Sequence, residues 1–175
     1  YLFLVRFKSY AMRSLAYPKG LPNLPPHRQE KVNLGNALAI VAIQLARAQE
    51  KAGHYWQLEQ PEQSLMLVLP EMLDLISRAN VFWAVACVCA WGAHWMKPTT
   101  VIANHRAIRG IHRGCPGGHA HIPLVGTASD GRNWTAIAGP YWHPFALAWA
   151  KCWSFLMDAP LSTKAAHVAG WGVFN

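Results

Sequence analysis

The stretch from about Arg28 to Ala52, RQEKVNLGNALAIVAIQLARAQEKA, constrains the fold more than any other part of this chain. Leu34, Leu38, Val41, Leu45 and Ala48 recur at alternating steps of four and three, which draws one apolar stripe along a helix. Glu30 in the opening turn, Arg47 and Lys51 near the end and Gly53 just beyond match the helix dipole and the C-cap preference. Ile40 and Ile43 widen the stripe, so the helix is expected to be covered on more than one side. Tyr55-Trp56-Gln57-Leu58 then reads as a short strand. A long helix, a tight glycine turn and a strand form the second half of a strand–helix–strand unit.

Pro70 suits the first turn of another helix, PEMLDLISR (70–78), and VFWAVACV (81–88) is a near-continuous apolar strand. Strands apolar on both faces belong in a parallel sheet covered by helices. The expected fold is α/β: a Rossmann-like, mostly parallel sheet with flanking helices, incomplete as in a fragment, plus an irregular Gly/His-rich loop region. TTVIA (99–103) and IPLVG (122–126) are candidate strands joined by that loop, and PFALAWAKCWSFLM (144–157) is a last amphipathic helix. Residues 1–27 read as a basic, loop-rich lead-in, 28–157 as a single domain and 158–175 as a weakly patterned tail.

Composition sets further bounds. Only 14% of the residues are charged while 53% are apolar, so part of the surface is expected to pack against something else. The chain opens at Tyr1 and reads as a fragment. Its longest uncharged run, ANVFWAVACVCAWGAHWM (79–96), is interrupted by Asn80, Gly92 and His94 and does not suit a membrane span. The opening YLFLVRFK meets Arg6 and Lys8 too soon for a cleavable leader. Cys87, Cys89, Cys115 and Cys152 make no disulfide ladder in a chain this large, so a reducing, intracellular compartment is expected, the nucleus among the candidates.

The formal charge of +8 is unevenly spread. Residues 1–28 carry Arg6, Lys8, Arg13, Lys19 and Arg28 with no acid; residues 97–132 carry Lys97, Arg106, Arg109, Arg113 and Arg132 against Asp130 alone. Two basic blocks flanking a net acidic middle suggest a groove for a polyanion, nucleic acid first. The alternative is a solvated basic surface. Trp91 and Trp95, in the basic loop that leads into the second block, are candidates for stacking on a base. The tryptophans at 83, 134, 142, 149 and 153 read as core.

Two constellations could carry chemistry. Cys115-Pro-Gly-Gly-His119-Ala-His121 sets Cys115, His119 and His121 at short spacings in a Gly-rich loop that can bind zinc, with cysteines from elsewhere completing four ligands. Cys87 and Cys89, upstream, are available for that or for the core. The other is Glu59, where a strand ends on a carboxylate before Gln60-Pro61. In an α/β sheet, ligands bind beyond the C-terminal ends of the strands, so Glu59 is expected at a site edge with Ser64 and Gln63 able to hydrogen-bond it.

LEQPEQSLMLVLPEM, with CAWGAHWMKPTTVIANH and CPGGHAHIPLVG after it, resembles the C-terminal part of divergent cytosine-5 DNA methyltransferase-like proteins of the kind found with mobile elements. In that family a strand ends in Glu-Asn-Val, whose glutamate grips the flipped cytosine; Leu58-Glu59-Gln60-Pro61 matches it at the glutamate only. The resemblance implies that Glu59 is the base-contacting catalytic residue and that Lys97 and Thr99 steady the loop or the phosphates. Arg106, Arg109 and Arg113 would then supply charge to the DNA backbone. It implies S-adenosylmethionine as cofactor, although the family's donor-binding loop lies earlier than this chain begins. The family's Pro-Cys nucleophile is missing too, because no cysteine precedes Cys87 and the corresponding segment offers Ser9. The expectation is therefore the base-holding half of a methyltransferase, inactive without a further N-terminal segment. The alternative is a non-catalytic nucleic-acid-binding module of a mobile element, zinc-stabilised, with DNA favoured over RNA.

Overall fold

The computed structural model describes residues 11–154. Ser9, Arg6 and Lys8, the tail at 158–175 and the end of the last helix expected to reach 157 lie outside them. The described residues divide into two compact units. One runs to Phe82 and takes in Ile102–His105; the other comprises Trp83–Val101 and the residues from Arg106 onward.

In the first unit, helix α1 spans Pro26–Lys51 and starts with proline at its first position, where the missing N–H would have had no partner. Glu30 falls just past its first turn, and Lys51 closes the last. Gly53 ends the helix at φ +75, a conformation that side chains with a Cβ resist, and its N–H donates to the Glu50 carbonyl at 3.0 Å. The His54 N–H reaches back to the Gln49 carbonyl at 2.8 Å. These two bonds make a Schellman motif and direct the chain into strand β1, Gln57–Pro61. A 3₁₀ turn, Leu65–Val68, and helix α2, Pro70–Ile76, follow.

The face that α1 buries is not the one its leucines suggest. Val32, Gly35, Ala39, Ile43 and Ala46 are buried. Leu34, Leu38, Val41 and Leu45 are 57%, 52%, 49% and 59% exposed. Small residues at 35, 39 and 46 let α1 come close to its neighbours, and Ile43 fills the space with Trp56, Met66, Leu69, Met72, Leu75, Val81 and Ile102. Ahead of α1, the buried Arg13 guanidinium donates to the Pro18 carbonyl (2.9 Å), Asn36 Oδ1 (2.6 Å) and the Val32 carbonyl (3.0 Å), fastening the lead-in to the helix. Lys19 pairs with Glu71 at 2.6 Å. Two cations of the first basic block are thus engaged inside the unit.

Strand β2 covers Phe82–Cys87 and β3 covers Pro98–Ala103; the sheet order is β1-β3-β2. The sheet is antiparallel, which corrects the expectation of a parallel, Rossmann-like one. The Asn104 N–H, just past β3, donates to the carbonyl of Trp56, just ahead of β1, at 3.4 Å, so the end of one strand lies against the start of the other. Residues 88–97 hold only a 3₁₀ turn, Val88–Trp91, and a loop. A parallel crossover needs a dozen or more residues and usually a helix, and this connection supplies neither.

The second unit has its core around Val88, Ile108, Ile111, Ala138 and Phe145. A 3₁₀ segment at Arg106–Ile111, the short helix α3 at Trp134–Ile137 and helix α4 at His143–Lys151 enclose it. Phe145 packs edge-on to Trp91 at 5.1 Å and lies 5.6 Å from Trp149. IPLVG (122–126) forms no strand. No helix among the described residues is long and apolar enough to cross a membrane.

Candidate metal centre and basic loop

Three local devices bring four donor atoms together in the second unit. Strand β2 runs into the turn at Val88–Trp91, which carries Cys89 into the interior. Arg113 then joins β2 by a short parallel bridge, its N–H donating to the Val85 carbonyl at 3.0 Å while the Cys87 N–H donates to the Arg113 carbonyl at 2.8 Å. That bridge delivers Cys115 beside Cys89. Gly117 and Gly118, at φ +73 and +69, reverse the chain so that His119 and His121 return toward the thiols. The Ile122 N–H ties the far end of the loop to the His94 carbonyl at 2.8 Å.

Cys89, Cys115, His119 and His121 form a cluster whose ligand atoms all lie within 4.8 Å of one another and which could hold a metal ion. Cys115 Sγ is 3.5 Å from His121 Nε2 and 3.9 Å from His119 Nε2. For metal–sulfur and metal–nitrogen bonds of ordinary length, the sulfur–nitrogen edge of a tetrahedron is about 3.6 Å. Supporting contacts are also in place. His119 Nδ1 lies 2.8 Å from the Gly117 carbonyl, a bond that puts its proton on Nδ1 and turns the Nε2 lone pair toward the cluster. The Gly117 N–H donates to Cys115 Sγ at 3.4 Å. Burial pushes the Cys89 thiol up to about 12, and the neighbouring Cys87 and Cys115 act in the same direction. A bound cation reverses that balance and holds the sulfur as thiolate.

The sequence pointed to Cys115, His119 and His121; Cys89 is the fourth donor. Its partner in the Cys-Val-Cys run, Cys87, lies 3.2 Å from it sulfur to sulfur, and both are buried.

The basic residues lead directly into this centre. In a 3₁₀ segment side chains three apart share a face. Ile108 and Ile111 point inward, and Arg106 and Arg109 share the solvent side. Arg113 is exposed, donates to the Ala90 carbonyl at 3.2 Å and lies over the Trp91 ring at 5.4 Å. Lys97 is turned inward: its Nζ donates to the carbonyls of Ala138 (3.1 Å) and Gly139 (3.4 Å). Thr99 is buried, with its hydroxyl on the Lys97 carbonyl at 3.3 Å, and has no face toward a phosphate. Trp95 is buried against Trp142, whereas Trp83, expected in the core, is exposed.

Glu59 lies within β1, a half-buried residue of an edge strand, not beyond a parallel strand's end. Its carboxylate makes no hydrogen bond or ion pair among the described residues. Ser64, expected to serve it, donates instead to Gln60 Oε1 at 2.9 Å and accepts from the Met66 N–H at 3.3 Å, capping the following turn. Among the described residues the sheet is antiparallel, not the parallel sheet whose strand-order reversal seats nucleotide-like cofactors such as S-adenosylmethionine. No protein-family model, no curated protein and no solved structure matches this chain.

Proposed function

We propose that this chain is a nucleic-acid-binding module whose basic loop is held in shape by a structural zinc ion. The four-donor cluster carries the reading. Two thiolates and two imidazoles are the ligand softness and number that zinc takes in closed, structural sites, and with all four positions filled by protein no place is left for a reacting water. Arg106, Arg109 and Arg113 precede Cys115 on one continuous segment. Ile108 and Ile111, buried in the core of the unit, place Arg106 and Arg109, and fixing Cys115 places Arg113, so three cations stand in set positions, as recognition of a phosphate backbone requires. The net charge of +8 supports the same partner.

The test is duplex DNA binding across a salt series, using protein purified under reducing conditions and assayed for zinc. Three phosphate contacts give a slope of log K against log salt of about −2.7. Each of Arg106→Ala, Arg109→Ala and Arg113→Ala should lower the slope by roughly one. A salt-independent affinity, or an unchanged slope in all three variants, would remove nucleic acid as the partner.

A second reading keeps the base-holding role, with S-adenosylmethionine and the nucleophile supplied by another segment. Glu59 favours it, as a half-buried carboxylate without a protein partner among the described residues. On this reading Glu59→Ala weakens binding to DNA with an unpaired cytosine by about tenfold or more, consistent with losing a charged hydrogen bond of ~1.5–3 kcal/mol. Glu62→Ala, its exposed neighbour, leaves that binding unchanged. Equal losses in the two variants would sink the base-contact role and leave the zinc-held module standing.

A further inference from the structure

The exposed stripe of α1 has the spacing of a helix-pairing seam. At ~100° per residue, Leu34, Leu38, Val41 and Leu45 fall within a narrow arc roughly opposite the buried Val32, Ala39, Ile43 and Ala46. Steps of four, three and four are those of the a and d positions of a heptad, and Ala48 continues the series. Surface helices normally carry one apolar face, and α1 has a second that faces water.

We propose that this face pairs with the same face of a second copy of the chain, as an antiparallel two-helix seam about a two-fold axis. The charges flanking the stripe choose this occupant. With Leu34 set against Leu45 of the other copy and Leu38 against its Val41, the flanking positions that meet sum to 81 in residue number. Glu30 then faces Lys51 of the other copy, and by symmetry Lys51 faces its Glu30, while Ala37 meets Gln44. Both charged residues are exposed. They stand at opposite ends of a 26-residue helix, about 30 Å apart, so they cannot pair within one chain. A parallel pair would lose this match. A two-fold interface also needs a self-complementary patch, which the stripe is.

The seam is about 15 residues, or ~20 Å, long, which puts the interface at the small end for specific complexes and its affinity near the micromolar range. Sedimentation equilibrium on the full chain tests it. The chain should be monomeric at about 1 μM and dimeric at about 100 μM. Glu30→Lys and Lys51→Glu should each weaken the dimer tenfold or more, because each sets like charges together twice over. Mixed one to one, the two variants should associate at least as tightly as the parent, since every flanking contact is then matched. Leu38→Lys should abolish association, with circular dichroism confirming that the helix persists. A monomer at all concentrations would overturn the proposal and assign the stripe to another segment or protein. Dimers indifferent to both charge changes, or failure of the two variants to pair, would overturn it equally.

Discussion

Chelating the metal from the zinc-loaded chain is expected to melt the segment from Arg113 to His121, whereas Ile108 and Ile111 stay held in the core. The amides of Cys87, Arg113 and Ile122 should lose their hydrogen-exchange protection with it. Those amides close the bridge to β2 and the loop end, and the segment between them holds few apolar side chains: Gly114, Pro116, Gly117, Gly118 and Ala120 bury little. Zinc binding to a four-ligand structural site is worth ~10–16 kcal/mol in small zinc-folded peptides, as much as the whole stability of an ordinary domain. Cys115→Ser and His119→Ala should each reduce zinc affinity by more than the 10–100-fold typical of losing a supporting partner. Cys152→Ser, at a thiol outside the cluster that bonds the Ala148 carbonyl, should leave zinc content unchanged. Full exchange protection after chelation would mean that packing alone orders the loop.

Phe145→Ala is expected to cost about 3–5 kcal/mol and lower the melting temperature by roughly 6–20 °C. Phe145 is fully buried and is the ring on which Trp91, Tyr141 and Trp149 converge, at 5.1, 6.0 and 5.6 Å between centroids. Its loss opens a cavity bounded by rigid rings that cannot collapse into it. Leu147→Ala, on the same helix but exposed, should stay within about 0.5 kcal/mol of the parent. Denaturant unfolding of both variants measures the contrast. A comparable loss in the two would mean that the aromatic group is not the core of α4's docking.

The local elements were legible because their signals are local. Proline at the start of α2, Gly53 after α1 and the apolar runs of β2 and β3 all mark what they were expected to mark, while α1 begins two residues before Arg28, at a proline expected to belong to the loop ahead of it. The side that α1 buries was not legible, because its sequence holds two apolar stripes and the larger side chains occupy the exposed one. Burial there follows close approach, which Gly35, Ala39 and Ala46 permit and leucine would not. The direction of strand pairing was misread from composition: the apolar character of VFWAVACV suits a parallel sheet, but the short connection at 88–97 excludes a helical crossover. That length was in the sequence and outweighs strand composition. Of the candidate centre, Cys115, His119 and His121 declare themselves by spacing. Cys89 does not, because its place depends on the bridge between Arg113 and β2, a tertiary contact with no local signature. Lys97 and Thr99 were expected to steady the loop or the phosphates, and both side chains bond backbone carbonyls within the unit.

X-ray absorption at the zinc edge, on protein purified under reducing conditions, tests the central claim most directly. The proposed centre predicts two sulfur neighbours at about 2.3 Å and two nitrogen neighbours at about 2.0–2.1 Å, with the sulfur signal halved in Cys89→Ser. Zinc-free protein, or zinc bound mainly through oxygen with the spectrum unchanged by Cys89→Ser, would contradict it.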